Sequence, residues 1–368
     1  MRILYVTTIG GTMGFFKSFI AELINEGSTV DIATNENIKK VPDCYREWGC
    51  NIHNISCTRF PLNKGTLKAV KEIKKLVAEN EYDIVHCHTP IAAMCTRIAC
   101  RRFRKNGLKV IYTAHGFHFY KGAPLKNWLI YYPIEKICSH FTDVLITINK
   151  EDYELADKKM NAEKIEYVPG VGFDVNRFFE ATVDKEKKRR EMGVPEDAIL
   201  LLSVGEINLN KNHQLIIKAM KVLDNHNIYY AIAGEGAEKE NLVRLAGDLE
   251  LQNNILLLGR RNDIAELCKT ADIFCFPSYR EGLGIASLEA MACGLPIVTS
   301  NVHGINDYSE DGVTGYKFSP YDVEGAATAI EKTLASDLKL IGNRNKCIVC
   351  KYDKKVINSQ LKEIYNNL

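Results

Sequence analysis

The chain has 368 residues, 46% of them hydrophobic and 26% charged, with 48 Lys and Arg against 46 Asp and Glu. That balance buries an ample core, fits two domains of ordinary size, and lacks the basic excess that nucleic acid as the main partner would require. Twelve cysteines scattered from Cys44 to Cys350 without CxxC spacing exclude a disulfide framework and read as reduced core thiols of a cytosolic protein.

Arg2 precedes only Ile3 to Val6 before the polar Thr7 and Thr8, too short for a secretory leader, and no apolar run approaches the roughly 18 residues of a spanning helix. The expectation is a soluble protein, or one that rests on a membrane surface. In the first half, β-branched runs at Ile3–Thr7, Val30–Thr34, Ile84–His88, Val110–Ala114 and Val144–Ile148 alternate with longer amphipathic stretches. This rhythm predicts βαβ units and a parallel sheet. Gly10, Gly11 and Gly14 follow the first strand, but their GGxxG spacing is a weak dinucleotide fingerprint with no acidic residue to close it.

Lys64, Lys68, Lys71, Lys74 and Lys75 form a basic helix-like stretch, and Arg101, Arg102, Arg104 and Lys105 a second cluster. In a third, Phe117, Phe119, Tyr120, Trp128, Tyr131 and Tyr132 interleave with Lys121 and Lys126. Basic charge beside interfacial aromatics fits peripheral attachment to a membrane, whereas solvated lysines and core aromatics give the same pattern. His86 and His88 alternate onto one strand face with no third metal ligand apparent, and His115 follows a strand at the carboxyl edge of the sheet, with His118 close by.

Between Gly170 and Pro195 the rhythm breaks at a charged, helix-prone Asp184–Met192, and it restarts with Ile199–Val204, Tyr229–Ala233, Ile255–Leu258, Ile273–Phe276 and Ile297–Thr299. Two doubly wound α/β domains in tandem follow, residues 1–175 and residues 190–350, and Val356–Tyr365 has helical periodicity. In such sheets ligands bind beyond the carboxyl ends of the strands, so the two edges are expected to face one another across a cleft. Lys211 stands in the loop after the first strand of the second half, where its charge can pair with a diphosphate.

The segment 278–300, SYREGLGIASLEAMACGLPIVTS, carries the most information. It reads as a Gly-rich turn, a short helix stopped at Gly294, and a strand. Gly282 and Gly284 let bare backbone N–H groups approach an anion while the helix start near Ile285 presents its positive end, which makes a diphosphate site. Glu281 in the turn and Glu289 a helical turn inside place two carboxylates where they can accept hydrogen bonds from sugar or ribose hydroxyls.

This segment, with Glu281 and Glu289 separated by seven residues, closely resembles the signature of the family 4 retaining glycosyltransferases of the GT-B fold, among them bacterial capsule and exopolysaccharide enzymes. Gly10-Gly11, DIVHCH at 83–88, YTAHG at 112–116 and EDGVTGYKF at 310–318 fall in the family's order. The resemblance implies that a helix over about 353–368 packs back on the first domain, and that Glu281 contacts the donor sugar and Glu289 the ribose. It also implies that the amides of Gly282, Leu283 and Gly284 and the ammonium of Lys211 hold the sugar diphosphate, that His115 reaches the sugar, and that the Gly10-Gly11 loop approaches the donor phosphates or the acceptor. Glu206 departs from the pattern, because many members carry Arg there. Arg260 or Arg261 then supplies the second cation, or Glu206 orients Lys211.

The activity so implied is transfer of a hexose or N-acetylhexosamine from a nucleotide sugar, UDP favoured, to a glycan acceptor, with undecaprenyl-diphosphate-linked sugar the analogy. No cofactor or metal is expected, the donor being a substrate, and domain closure would keep water out. A GT-B sugar-nucleotide epimerase and a non-catalytic two-domain sugar-binding protein are the competing readings.

Overall fold

A computed structural model describes residues 1–58 and 63–368. The chain divides into two compact units, Met1–Gly172 with Lys354–Leu368, and Phe173–Asp353.

The first unit is built on a parallel sheet of β1 (Arg2–Ile9), β2 (Thr29–Asn35), β3 (Ile52–Asn54), β4 (Ile84–His88), β5 (Lys109–Ala114), β6 (Val144–Thr147) and β7 (Lys164–Tyr167), in the order β3-β2-β1-β4-β5-β6-β7. Successive side chains alternate across the sheet. Leu4, Val6, Val85 and Cys87 join one core layer, whereas Ile3, Tyr5 and Ile84 join the other, with Ile357 and Tyr365 of the C-terminal helix. By the same parity His86 and His88 lie on the Tyr5 side.

Helix Lys64–Glu79 starts where Asn63 accepts a hydrogen bond from the Thr66 N–H at 2.9 Å, and it turns Thr66, Ala69, Ile73 and Val77 inward at helical spacing. Its five lysines face solvent. The C-terminal helix Lys354–Asn366 is held on the first unit by Asn358 Nδ2 donating to Glu22 Oε2 at 2.7 Å and by Lys362 paired with Glu22 and Glu26. Between helices Pro90–Cys100 and Leu125–Ser139, Arg97 and Glu135 form a buried ion pair at 2.7 Å, with the guanidinium 4.3 Å from the Tyr112 ring centre.

The second unit opens with the short helix Val175–Phe179, followed by helix Lys185–Met192, capped by Asp184 and closed by Gly193 in the left-handed region at φ 72°. Its parallel sheet comprises β8 (Ile199–Val204), β9 (Ile228–Ala233), β10 (Ile255–Gly259), β11 (Ile273–Phe276), β12 (Ile297–Ser300) and β13 (Gly315–Phe318), in the order β10-β9-β8-β11-β12-β13. The order reverses between β8 and β11, so the loops that leave these two strands emerge side by side.

The expected α/β architecture is present, with all ten expected strands. β3, β7 and β13, each at a sheet edge, were not expected. Nine of the twelve thiols are buried, but Cys44 is half-buried and Cys347 and Cys350 are exposed on or beside helix Leu338–Val349, which corrects the reading of all twelve as core. No helix among the described residues is long and apolar enough to cross a membrane.

Candidate functional site

In the second unit the two loops at the switch point are laced together. Asn208 caps its own turn by accepting from the Lys211 N–H at 3.0 Å. Asn210 reaches the 277–281 loop twice: its carbonyl accepts from the Tyr279 N–H at 2.8 Å and its Nδ2 donates to the Arg280 carbonyl at 2.9 Å. Asn212, left-handed at φ 53°, donates its amide to the carbonyls of Pro277 and Pro320 at 3.2 and 2.9 Å.

The outcome of this lacing is a charge pair, with Lys211 Nζ 2.7 Å from Glu281 Oε1 and the two side chains only 19% and 14% exposed. The ammonium also lies 4.6 Å from the centre of the Phe276 ring, a favourable face for a cation. Glu281 is gripped from behind, its carbonyl accepting from His303 Nδ1 at 2.7 Å and from the Gly304 N–H at 3.3 Å. A carbonyl only accepts, so His303 carries its proton on Nδ1.

The turn continues into helix Ile285–Ala292 through Gly284, left-handed at φ 84°, where a Cβ would stand 2.6 Å from the Phe276 ring. Only glycine fits there. Leu283 is buried at 5% exposure and anchors the turn from beneath. Lys211, Glu281, Gly282, Leu283 and Gly284 are thus brought together, with the helix N-terminus beside them.

Glu289 lies on the second turn of that helix, half-buried, and burial pushes its carboxyl up to about 7 against the opposing charge of Arg177. It shares no direct contact with the Lys211–Glu281 pair. Glu206 does not orient Lys211: it is exposed and accepts from Asn208 Nδ2 at 3.1 Å, and the carboxylate on Lys211 belongs to Glu281 instead. Arg261 is engaged by Asp263, two residues on, with Nε donating to Oδ1 at 2.8 Å, so its charge is already answered locally. Sequence reasoning passed over His303, Asn208 and Asn210. His303 carried a usable signal, a His-Gly step just after a strand, as at His115-Gly116.

In the first unit His115 follows β5, half-buried, on a segment fixed by the Phe117 N–H donating to the buried Asp152 carboxylate at 3.1 Å. Its Nε2 stands 3.2 Å from His88 Nδ1. His86, one step away on the same face, bridges the Tyr365 hydroxyl at 2.7 Å and Thr113 Oγ1 at 2.8 Å, a structural role. Burial holds His86 down to about 3 and His115 down to about 4, so both rings are neutral at pH 7. No cluster of three or more metal-ligating side chains occurs among the described residues.

Gly10 and Gly11 open a 3-10 turn, Gly10–Phe15, in place of an open loop. A Cβ on Gly10 would meet the Lys39 carbonyl at 2.4 Å, so close backbone packing accounts for that glycine. Beyond it, Thr8, Thr12, Thr89, His118 and Tyr131 line a cavity of about 340 Å³. Thr89, β-branched yet at φ 65°, is held there by a hydrogen bond of 3.1 Å from the Thr8 N–H to its Oγ1 and one of 2.7 Å between the two threonine hydroxyls. Such a backbone persists only where its surroundings enforce it.

Of the two readings left open for the aromatic stretch, core packing holds for Phe117 and Phe119. Phe117 and Phe119 are 2% and 0% exposed and stack at 4.8 Å, with Trp128 and Tyr132 edge-on against Phe119. Trp128 and Tyr132, half-buried, lie on the inner side of helix Leu125–Ser139 with the buried Glu135 and Cys138. Its outer side exposes Leu125, Leu129, Ile130 and Ile137 at 73%, 68%, 45% and 59%.

Known proteins resemble the chain along most of its length. Residues 184–349 match the family profile described as glycosyl transferases group 1, and residues 2–149 the one described as glycosyl transferase 4-like. EpsD of Bacillus subtilis (strain 168), which its name assigns to the glycosyltransferases, is 38% identical over 283 residues, 76% of this chain and 74% of that one. The UDP-Gal:alpha-D-GlcNAc-diphosphoundecaprenol alpha-1,3-galactosyltransferase of Escherichia coli is 29% identical over 297 residues, 78% of this chain and 76% of that one. Among solved structures, Anabaena Alr3699/HepE in complex with UDP superposes with a TM-score of 0.82 at 20% identity over 100% of both chains, a likeness of fold. With its two halves matching in order and EpsD 38% identical over 74% of EpsD's length, the chain belongs to the group 1, family 4-like glycosyltransferases of the GT-B fold.

Proposed function

We propose that the protein is a retaining transferase that moves a hexose or N-acetylhexosamine from a UDP-sugar to a hydroxyl of a lipid-linked glycan in surface-polysaccharide synthesis. The observation that carries this reading is the Lys211–Glu281 pair at 2.7 Å beside the Gly282–Gly284 turn and the helix start at Ile285. An ammonium, a run of backbone amides and a helix N-terminus at one point form a receptor for a diphosphate, and the carboxylate at the same point suits the hydroxyls of the attached sugar. On donor binding the diphosphate takes over the ammonium and Glu281 turns to the sugar. UDP is supported by the donor in the Escherichia coli relative's name and by the ligand of the Anabaena structure.

In transfer the bond from the sugar carbon to the diphosphate oxygen breaks, charge grows on that oxygen, and oxocarbenium character grows at carbon. Lys211 and the turn amides stabilise the first, and Glu281 orients the sugar. The acceptor hydroxyl enters on the face the diphosphate leaves, and its proton passes to the departing oxygen, so no covalent intermediate on the protein is needed. The first unit's cavity at Thr8, Thr89 and Tyr131 is our assignment for the acceptor glycan. The aliphatic outer face of helix Leu125–Ser139, with exposed Lys126, Lys121, Arg101, Arg102 and Lys105 on and around it, suits an anionic membrane surface on which a lipid-linked acceptor sits.

The test offers the purified protein a panel of UDP-, GDP- and ADP-sugars, with and without undecaprenyl-diphosphate-linked acceptor, and records nucleotide release and the anomer formed. Acceptor-dependent UDP release with the donor's anomeric configuration kept is expected. An inverted product removes the retaining mechanism, and free epimerised UDP-sugar without acceptor favours an epimerase. Leu129→Glu should weaken sedimentation with anionic vesicles, and equal sedimentation would remove the membrane face.

A further inference from the structure

Three histidines crowd the carboxyl ends of β4 and β5, and one has no role in the account so far. His88 is the last residue of β4, 2% exposed, stacked on Phe16 at 4.1 Å and on Tyr5 at 5.5 Å. In the parallel register it pairs with Thr113, two residues before His115, which brings its Nδ1 to 3.2 Å from His115 Nε2. Its own Nε2 is buried without a partner among the described residues. Burial, with His86 and His115 adding to it, keeps His88 neutral at pH 7.

Between two neutral imidazoles one ring must donate and the other accept. Were His115 to donate through Nε2–H, the second proton position of His88 would be Nε2, leaving a buried N–H with no acceptor. Were His88 to donate through Nδ1–H, its Nε2 would keep only a bare lone pair. An orphaned buried N–H is the rarer and costlier defect, so the second arrangement holds. His115 then accepts at Nε2 and carries its proton on Nδ1.

We propose that His88 is a positioning residue that fixes His115 as the Nδ1–H tautomer and aims that N–H at the substrate, where it donates to a hydroxyl oxygen of the sugar. The second half of this statement rests on the assignment of His115 to the donor sugar; the tautomer does not. The ring stack of Phe16, His88 and Tyr5 holds the donor rigid, so His115 meets the ligand with one protonation pattern already set.

The experiment is a long-range proton–nitrogen correlation spectrum of the full chain labelled with [15N]histidine at neutral pH, His115 being assigned by its loss in His115→Phe. Protonated Nδ1 and bare Nε2 at His115 are expected, and His88→Phe should release the ring to the other tautomer. His88→Asn, whose amide N–H stands where Nδ1–H stood, should keep the pattern. Transfer should show kcat down about tenfold in His88→Phe with KM nearly unchanged, recovery in His88→Asn, and no further loss from His88→Phe in a His115→Phe background. A protonated Nε2 on wild-type His115, or a tautomer indifferent to His88→Phe, overturns the proposal without reference to activity. The expected tautomer with undiminished transfer by His115→Phe overturns instead the assignment of His115 to the sugar, and with it the catalytic half.

Discussion

Replacing Glu289 by Gln separates the cost of a buried carboxyl from its use. Burial raises the Glu289 carboxyl from the usual 4.5 to about 7. Below about pH 4.5 folded and unfolded chains both hold the proton and the group is neutral in its effect. Between 4.5 and 7 the unfolded chain releases it first, so folding stability falls as pH rises, and above 7 the whole cost is present. The full shift corresponds to about 3 kcal/mol, and partial exposure of the side chain reduces it to about 1–3 kcal/mol. Glu289→Gln keeps the shape and removes the charge, so it should melt with wild type near pH 4 and about 2–10 °C higher near pH 8 for a unit of this size. Differential scanning calorimetry at the two pH values measures this. If Glu289 holds the ribose, as the family resemblance implies, the same change should weaken UDP about tenfold, because an ionised carboxylate offers an acceptor oxygen to each ribose hydroxyl whereas one terminal atom of the amide is a donor. UDP affinity of the wild type should accordingly rise with pH through 7 and that of the variant stay flat. A variant no more stable than wild type at pH 8 refutes the burial argument, and stabilisation with unchanged UDP affinity refutes the ribose role alone.

Gly284→Ala forces a side chain onto a left-handed backbone 2.6 Å from the Phe276 ring, and it should cost about 1–3 kcal/mol, read as a lower chemical denaturation midpoint. Glu135→Ala leaves the guanidinium of Arg97, 0% exposed, without its carboxylate and should cost about 3–5 kcal/mol. The double change Arg97→Met with Glu135→Leu should recover much of that loss in the same denaturation assay, since it removes both charges at once.

The inner strands were legible because each is a continuous apolar run closed by turn residues. Three of the four edge strands were not, for β3 and β7 are short and largely half-exposed and β13 is a four-residue segment that begins at a glycine, whereas the edge strand β10 was legible from its Ile-Leu run. The Gly282–Gly284 turn and Lys211 could be picked out from local chemistry. Their union could not, because the 2.7 Å pair with Glu281 depends on β8 and β11 being neighbours, a long-range fact. Orienting Lys211 was one of two roles left open once Glu206 stood where many members carry Arg, and the carboxylate on Lys211 came instead from the loop after the neighbouring strand β11. The stretch around Trp128 stayed open between interface and core for a different reason: aromatics and aliphatics alternate along one helix, and only packing decides which side turns inward.

The most direct test of the donor site compares wild type with Lys211→Met in transfer from the UDP-sugar the panel selects to the lipid-linked acceptor. Under the proposed function, loss of the Lys211 ammonium should lower kcat/KM by about 10²–10³-fold while the melting profile shows the fold intact. Transfer by Lys211→Met at the wild-type rate would contradict the account, because the leaving group would then be stabilised somewhere else.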